Sequence, residues 1–124
     1  MSAERRAAPR FACDVEARVE PGDGRSINAQ TIDISYSGIC VLAEGEVRPG
    51  TQVDFQLRLL FEWAESDTLR VPGTVVWSTP TQGGYQLGGR FATDVDGVTF
   101  TRLDVFLRFL RGELELPGRE KPTT

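Results

Sequence analysis

Phe11-Ala12-Cys13-Asp14-Val15-Glu16-Ala17-Arg18-Val19-Glu20 places Phe11, Cys13, Val15, Ala17 and Val19 on one side and Asp14, Glu16, Arg18 and Glu20 on the other. A period of two is the mark of a half-buried strand, and Pro21-Gly22-Asp23-Gly24 ends it with turn residues. The pattern recurs downstream. Further strands are predicted over about 26–34, 38–43, 51–60, 69–78 and 85–92, with turns at Ser35-Tyr36-Ser37-Gly38, Pro49-Gly50 and Gln82-Gly83-Gly84. Val53, Phe55, Leu57 and Leu59 share one face of the fourth strand, and Leu69, Val71, Val75 and Trp77 one face of the fifth. Gly73 within the fifth predicts a bend or bulge, and 61–67 reads as a loop or a short helical turn.

After Asp94-Val95-Asp96-Gly97 the period changes. Leu103, Phe106, Leu107, Leu110 and Leu114 recur at three and four, the stripe of an amphipathic helix. Thr99 or Thr101 is the expected cap at its start, and Gly112 or Pro117-Gly118 the expected stop. Six short strands and one helix predict a mainly β protein: a small six-stranded antiparallel β-barrel with a C-terminal α-helix, since closure removes exposed edges. The organisation read from the chain is a flexible N-terminal arm over 1–10, the barrel with its helix over 11–113, and a polar, disordered tail over 114–124.

Composition narrows the function. The 124 residues suffice for one domain. A net charge of -4 argues against DNA or RNA as partner, which calls for a basic field, and the predicted outward faces carry acids such as Asp14, Glu16 and Glu20 instead of a basic groove lined by aromatics. Histidine is absent, removing the commonest general base and metal ligand. No Ser or Cys constellation for nucleophilic catalysis is visible, so no catalytic residue, metal or cofactor is assigned and an enzyme is not expected. Cys13 and Cys40 lie in predicted strands without zinc-site spacing and read as buried, reduced thiols. No apolar run has the length of a membrane span, and the N-terminus leads into no apolar signal segment, so a cytoplasmic location is expected.

Two short patterns remain. Arg6-Ala7-Ala8-Pro9-Arg10 precedes the first strand, and Asp33-Ile34-Ser35-Tyr36-Ser37-Gly38 ends the second. Either alone is weak; their order, their spacing and the strand pattern around them carry the weight. R-x-x-x-R followed by D-x-S-x-x-G resembles the PilZ domain family over about residues 5–112, and Leu87-Gly88-Gly89-Arg90-Phe91 is a softer match to the family's late Gly-x-x-Phe strand. The resemblance implies a small barrel that binds the bacterial messenger cyclic di-GMP.

By that resemblance Arg6 and Arg10 contact guanine and phosphate, which suits a planar guanidinium fork; without it they read as a solvated basic terminus. Asp33, an acceptor-only group, suits the Watson–Crick edge of guanine, or else makes an Asx turn. Ser35 adds a hydroxyl, or else caps the turn. Gly38 gives the turn access to positive φ and lets ligand approach the backbone. In the family an arginine in the place of Arg5 goes with an intercalated pair of ligands, which implies two cyclic di-GMP molecules per domain. The implied function is a stand-alone receptor that orders its arm on binding ligand and signals through an unidentified effector protein. The alternative is a PilZ-fold adaptor that binds protein and no nucleotide, for which Phe100, Phe106 and Phe109 supply either a partner surface or plain core.

Overall fold

The computed structural model describes residues 13–61 and 67–113. The arm over 1–10, Phe11, most of the predicted 61–67 loop and the tail from Leu114 onward lie outside them. The elements run β1 (Cys13–Glu20), β2 (Ile27–Ile34), β3 (Gly38–Ala43), β4 (Gln52–Phe61), β5 (Leu69–Thr81), β6 (Gly84–Phe91) and α1 (Gly97–Leu110). The strands close a barrel in the order β1-β2-β3-β6-β5-β4, with β4 returning to β1. All neighbours are antiparallel.

Alternation decides what fills the barrel. Ala17 and Val19 of β1, Ile39, Val41 and Ala43 of β3, Val53, Phe55, Leu57 and Leu59 of β4, and Leu87 and Phe91 of β6 are buried in one cluster. Leu103, Phe106, Leu107 and Phe109 of α1 join it, so the helix seals the core while lying against β5. Phe106 and Phe109 are therefore core residues, whereas Phe100 is half exposed. The outward acids Glu16 and Glu20 pair across the sheet with Arg58 and Arg70, the first pair half-buried and the second open to solvent, where a single link adds little stability.

The helix begins earlier than the threonines suggested. Asp96 is the N-cap, its carboxylate accepting the Thr99 backbone N–H at 2.7 Å. That bond holds the Asp96 carboxyl below its ordinary range, so the cap is complete above the usual carboxylate pKa and fades as pH falls through the lowered value. At the other end Arg111 is the C-cap and Gly112 follows with φ 81°, the left-handed conformation that stops a helix with least strain.

Two bulges break the period of two. Register shifts between Thr31 and Asp33 on β2 and between Val75 and Trp77 on β5, leaving Ile32 and Val76 as the extra residues. The β5 bulge lies at Val76, not at the predicted Gly73, and it turns Trp77 outward, where its side chain is 41% exposed instead of sharing the inner face of Val75. β5 also continues to Thr81, beyond the predicted 78. Gly73 sits in regular register opposite Val53 and Phe91. Its missing Cβ makes room for the Phe55 ring, 3.1 Å from where a methyl would stand, and for the Arg90 carbonyl.

Gly89 has the same use, since a Cβ there would run into the tip of the Phe55 ring. Phe55 is fully buried and meets Phe91 edge to face at 5.9 Å, so it cannot retreat without repacking the centre. Gly89→Ala is expected to cost about 1–3 kcal/mol by overpacking. Shortening the ring in Phe55→Leu makes room, so the double variant should lose less stability than the two single losses added. Guanidinium unfolding of the four proteins measures this; strict additivity would show that the ring and the glycine do not oppose each other.

Candidate functional site

The Asp33–Gly38 segment is built by its own side chains. The Ser35 backbone N–H donates to the Gly38 carbonyl at 2.9 Å, and the Ser35 hydroxyl accepts from the N–H groups of Ser37 and Gly38 at 3.2 and 3.3 Å. Its hydroxyl is also 3.2 Å from that of Ser37. Ser35 is thus committed to holding the turn. Phe91 at the end of β6 donates its N–H to the Ser37 carbonyl at 2.9 Å and ties the turn to the strand beside β3.

Gly38 is needed for a different reason than the predicted positive φ, which it does not adopt. It lies opposite Arg90, and a Cβ would collide with the Gly89 carbonyl of β6. The backbone approaching Gly38 closely is the protein's own.

Asp33 gains its position from the β2 bulge. Ile27 is buried, and the strict alternation 27, 29, 31, 33 would aim Asp33 into the core; the extra residue Ile32 resets the parity, so Ile32 and Asp33 are both exposed and Ile34 turns in. Asp33 then begins an outward row that crosses four strands: Asp33 pairs with Cys40 on β3, Cys40 with Gly88 on β6, and Gly88 with Trp77 on β5. At ordinary strand spacing this strip is about 14 Å long. Cys40 is free and half-buried on this outer face, within 3.3 Å of the Gln86 side-chain amide, and so is no core thiol.

Trp77 covers Gly88. A Cβ on Gly88 would overlap the indole, so the absence of a side chain there is what lets the ring lie across β6. One row toward the turn, Gly38, Arg90 and Thr74 are cross-strand neighbours. The Arg90 side chain is exposed and makes no hydrogen bond or ion pair among the described residues.

The surface therefore offers an anionic acceptor, a low central floor, an exposed aromatic face and a guanidinium in adjacent rows. Planar groups with N–H donors fit such a surface by hydrogen bonding to Asp33 and stacking on Trp77. Trp77 and Arg90 were missed in the sequence. The signal for Trp77 was Gly88-Gly89, two consecutive residues without side chains opposite an aromatic strand. No metal-binding group of three His, Cys, Asp or Glu occurs among the described residues, and no helix there is long and apolar enough to cross a membrane.

Arg5, Arg6 and Arg10 lie outside the described residues. The pairing of β1 does show where the chain enters the barrel. Glu16 lies opposite Gln30 and Ala17 opposite Ala29, so β1 starts at the end of the barrel where β2 finishes. The start of β1 therefore lies at the barrel end that carries Asp33 and the turn.

A family model for the PilZ domain matches residues 4–109. No curated protein matches the chain. Among solved structures, the PilZ domain of YcgR from Escherichia coli, determined with c-di-GMP, is similar to it at a TM-score of 0.58 and 15% sequence identity, covering 86% of this chain and 87% of that one. At such identity the likeness is one of fold. A closed six-stranded barrel with one C-terminal helix, matched over nearly its whole length by that family model, makes this chain a member of the PilZ domain family.

Proposed function

We propose that this protein is a receptor for cyclic di-GMP. The observation that carries the reading is the outward strip that runs to Trp77 from Asp33, which lies at the barrel end where β1 begins. The similarity of the fold to a PilZ domain determined with c-di-GMP supports it. In this reading Asp33 accepts the N1–H and N2–H₂ donors of one guanine, and Trp77 stacks on a base. Arg6 and Arg10 take guanine and phosphate oxygens. Ser35 and Gly38 act through the turn, one by bonding it and the other by letting β3 close onto β6. Arg5 faces a second ligand molecule. Binding orders residues 1–10 over the barrel, where charge-assisted bonds offset the lost chain entropy, and the ordered arm presents a new surface to an effector protein.

Calorimetric titration with cyclic di-GMP, with GMP as control, should give saturable binding. Asp33→Ala and Trp77→Ala should each weaken it about five- to hundredfold, corresponding to the loss of one paired edge or one stacked base, and Arg6→Ala should do at least as much. Absence of saturable binding would overturn the receptor reading, and variants that bind like the parent would remove Asp33, Trp77 or Arg6 from the site.

The same titration tests stoichiometry. Two ligands per chain are expected, falling to one in Arg5→Leu, and a value of one in both proteins would remove Arg5 from the site. Arm ordering is read separately: amide hydrogen exchange of residues 1–12 should slow when ligand is added, and unchanged exchange would rule it out.

A further inference from the structure

We propose that Tyr36 couples the Asp33–Gly38 turn to the C-terminal end of α1. The coupling runs through a closed ring of side chains comprising Tyr36, Asp104, Arg108, Glu113 and Arg111. The Tyr36 hydroxyl donates to Asp104 Oδ1 at 2.5 Å and accepts from Arg111 Nη2 at 3.4 Å. Asp104 reaches Arg108 at 3.8 Å, Arg108 reaches Glu113 at 3.7 Å, and Glu113 returns to Arg111 at 3.0 Å. The Tyr36 ring also stacks on Phe100, with centroids 6.1 Å apart, and the Arg111 guanidinium carbon lies 5.6 Å from its centroid. The hydrogen bond from Arg111, and the charge beside it, hold the Glu113 carboxyl below its ordinary range.

Core packing does not explain this arrangement. Tyr36 is 39% and Phe100 50% exposed, and every ion pair in the ring is open to solvent. Such links are individually weak, which suits a connection that is made and broken more than one that holds a fold together. Its location is specific. Tyr36 stands between Ser35, whose hydroxyl builds the turn, and Ser37, whose carbonyl anchors the turn to β6. A turn that loosens cannot keep the phenol at the distance Asp104 and Arg111 require.

The consequence is a linkage. Whatever stiffens the turn favours a docked helix end, and a docked helix end favours the stiff turn by the same free energy. Resting on the receptor reading, the stiffening agent is cyclic di-GMP held by Asp33, and the end of α1 is a second output of binding beside the arm.

Amide hydrogen exchange over residues 104–113 of the full chain tests the coupling without ligand first. Ser35→Ala loosens the turn and should speed exchange there about two- to fivefold, the range of an exposed polar link. In Tyr36→Phe, which keeps the ring on Phe100 and loses the hydroxyl, Ser35→Ala should add nothing further. Asp104→Ala should abolish the Ser35 effect in the same way from the helix side. An equal Ser35→Ala effect in the parent and in the Tyr36→Phe variant, or none in either, would overturn the coupling. Added cyclic di-GMP should slow exchange over 104–113 in the parent and leave it unchanged in Tyr36→Phe, with binding to both verified by calorimetry; equal slowing in both would also overturn it. A chain that binds no cyclic di-GMP overturns the receptor reading and the ligand half of this inference, while the Ser35→Ala comparison still decides the coupling.

Discussion

Two aromatic side chains meet strand β6 from opposite faces, at adjacent residues that have none. Phe55 presses on Gly89 from within the barrel, and Trp77 lies over Gly88 from outside. A barrel of six strands has little interior volume, and a fully buried phenylalanine fits at its centre only where neighbouring strands withdraw their side chains, at Gly73 and Gly89. The same thinness of β6 lets an indole lie low across the outer face. Core packing and the shape of the candidate site are therefore consequences of one short stretch, Gly88-Gly89, and a side chain at either position disturbs one of them.

The fold was legible because most strands obey a strict period of two. Val53, Phe55, Leu57 and Leu59 face inward as read, and the 3.6-residue stripe of Leu103, Phe106 and Leu107 faces the barrel as read. Periodicity fails where a bulge adds one residue, because every side chain beyond it changes face. That is why Trp77 reads as core in the sequence and stands outside in the structure. The bulge near Gly73 was expected for a sound reason, but glycine is also the residue that makes room, and local sequence does not distinguish a bent strand from a crowded one. The helix cap is a choice among candidates: Asp96, Thr99 and Thr101 all suit an N-cap, and the bond from the Thr99 N–H to Asp96 decides for the first.

The candidate site divides its labour along one motif. Asp33 reaches solvent through the bulge with its carboxylate aimed outward, Ser35 is occupied by the turn, and Gly38 admits the backbone of β6. Motif spacing singles these positions out as a group, while their separate structural duties depend on contacts with β6, far away in the chain. Trp77 belongs to no recognisable short pattern, and Arg90 lies in the softer Gly-x-x-Phe match without a role of its own there; they join the candidate site because β6 returns beside β3 and β5 beside β6.

Within the same turn, neighbouring side chains look in different directions. Asp33 faces the strip that runs to Trp77, and Tyr36, three residues on, reaches Asp104 and Arg111 of the helix region. The hydrogen bonds of Ser35 and Ser37 make the intervening backbone a short stiff lever. A ligand that touches only the strip can then change the order of the helix end without contacting it, provided the lever has a looser state for the ligand to disfavour. Polar, exposed and individually weak contacts around Tyr36 supply that looser state more readily than a buried joint would, since an apolar joint of the kind that holds Leu103 and Phe106 would open only with the core itself.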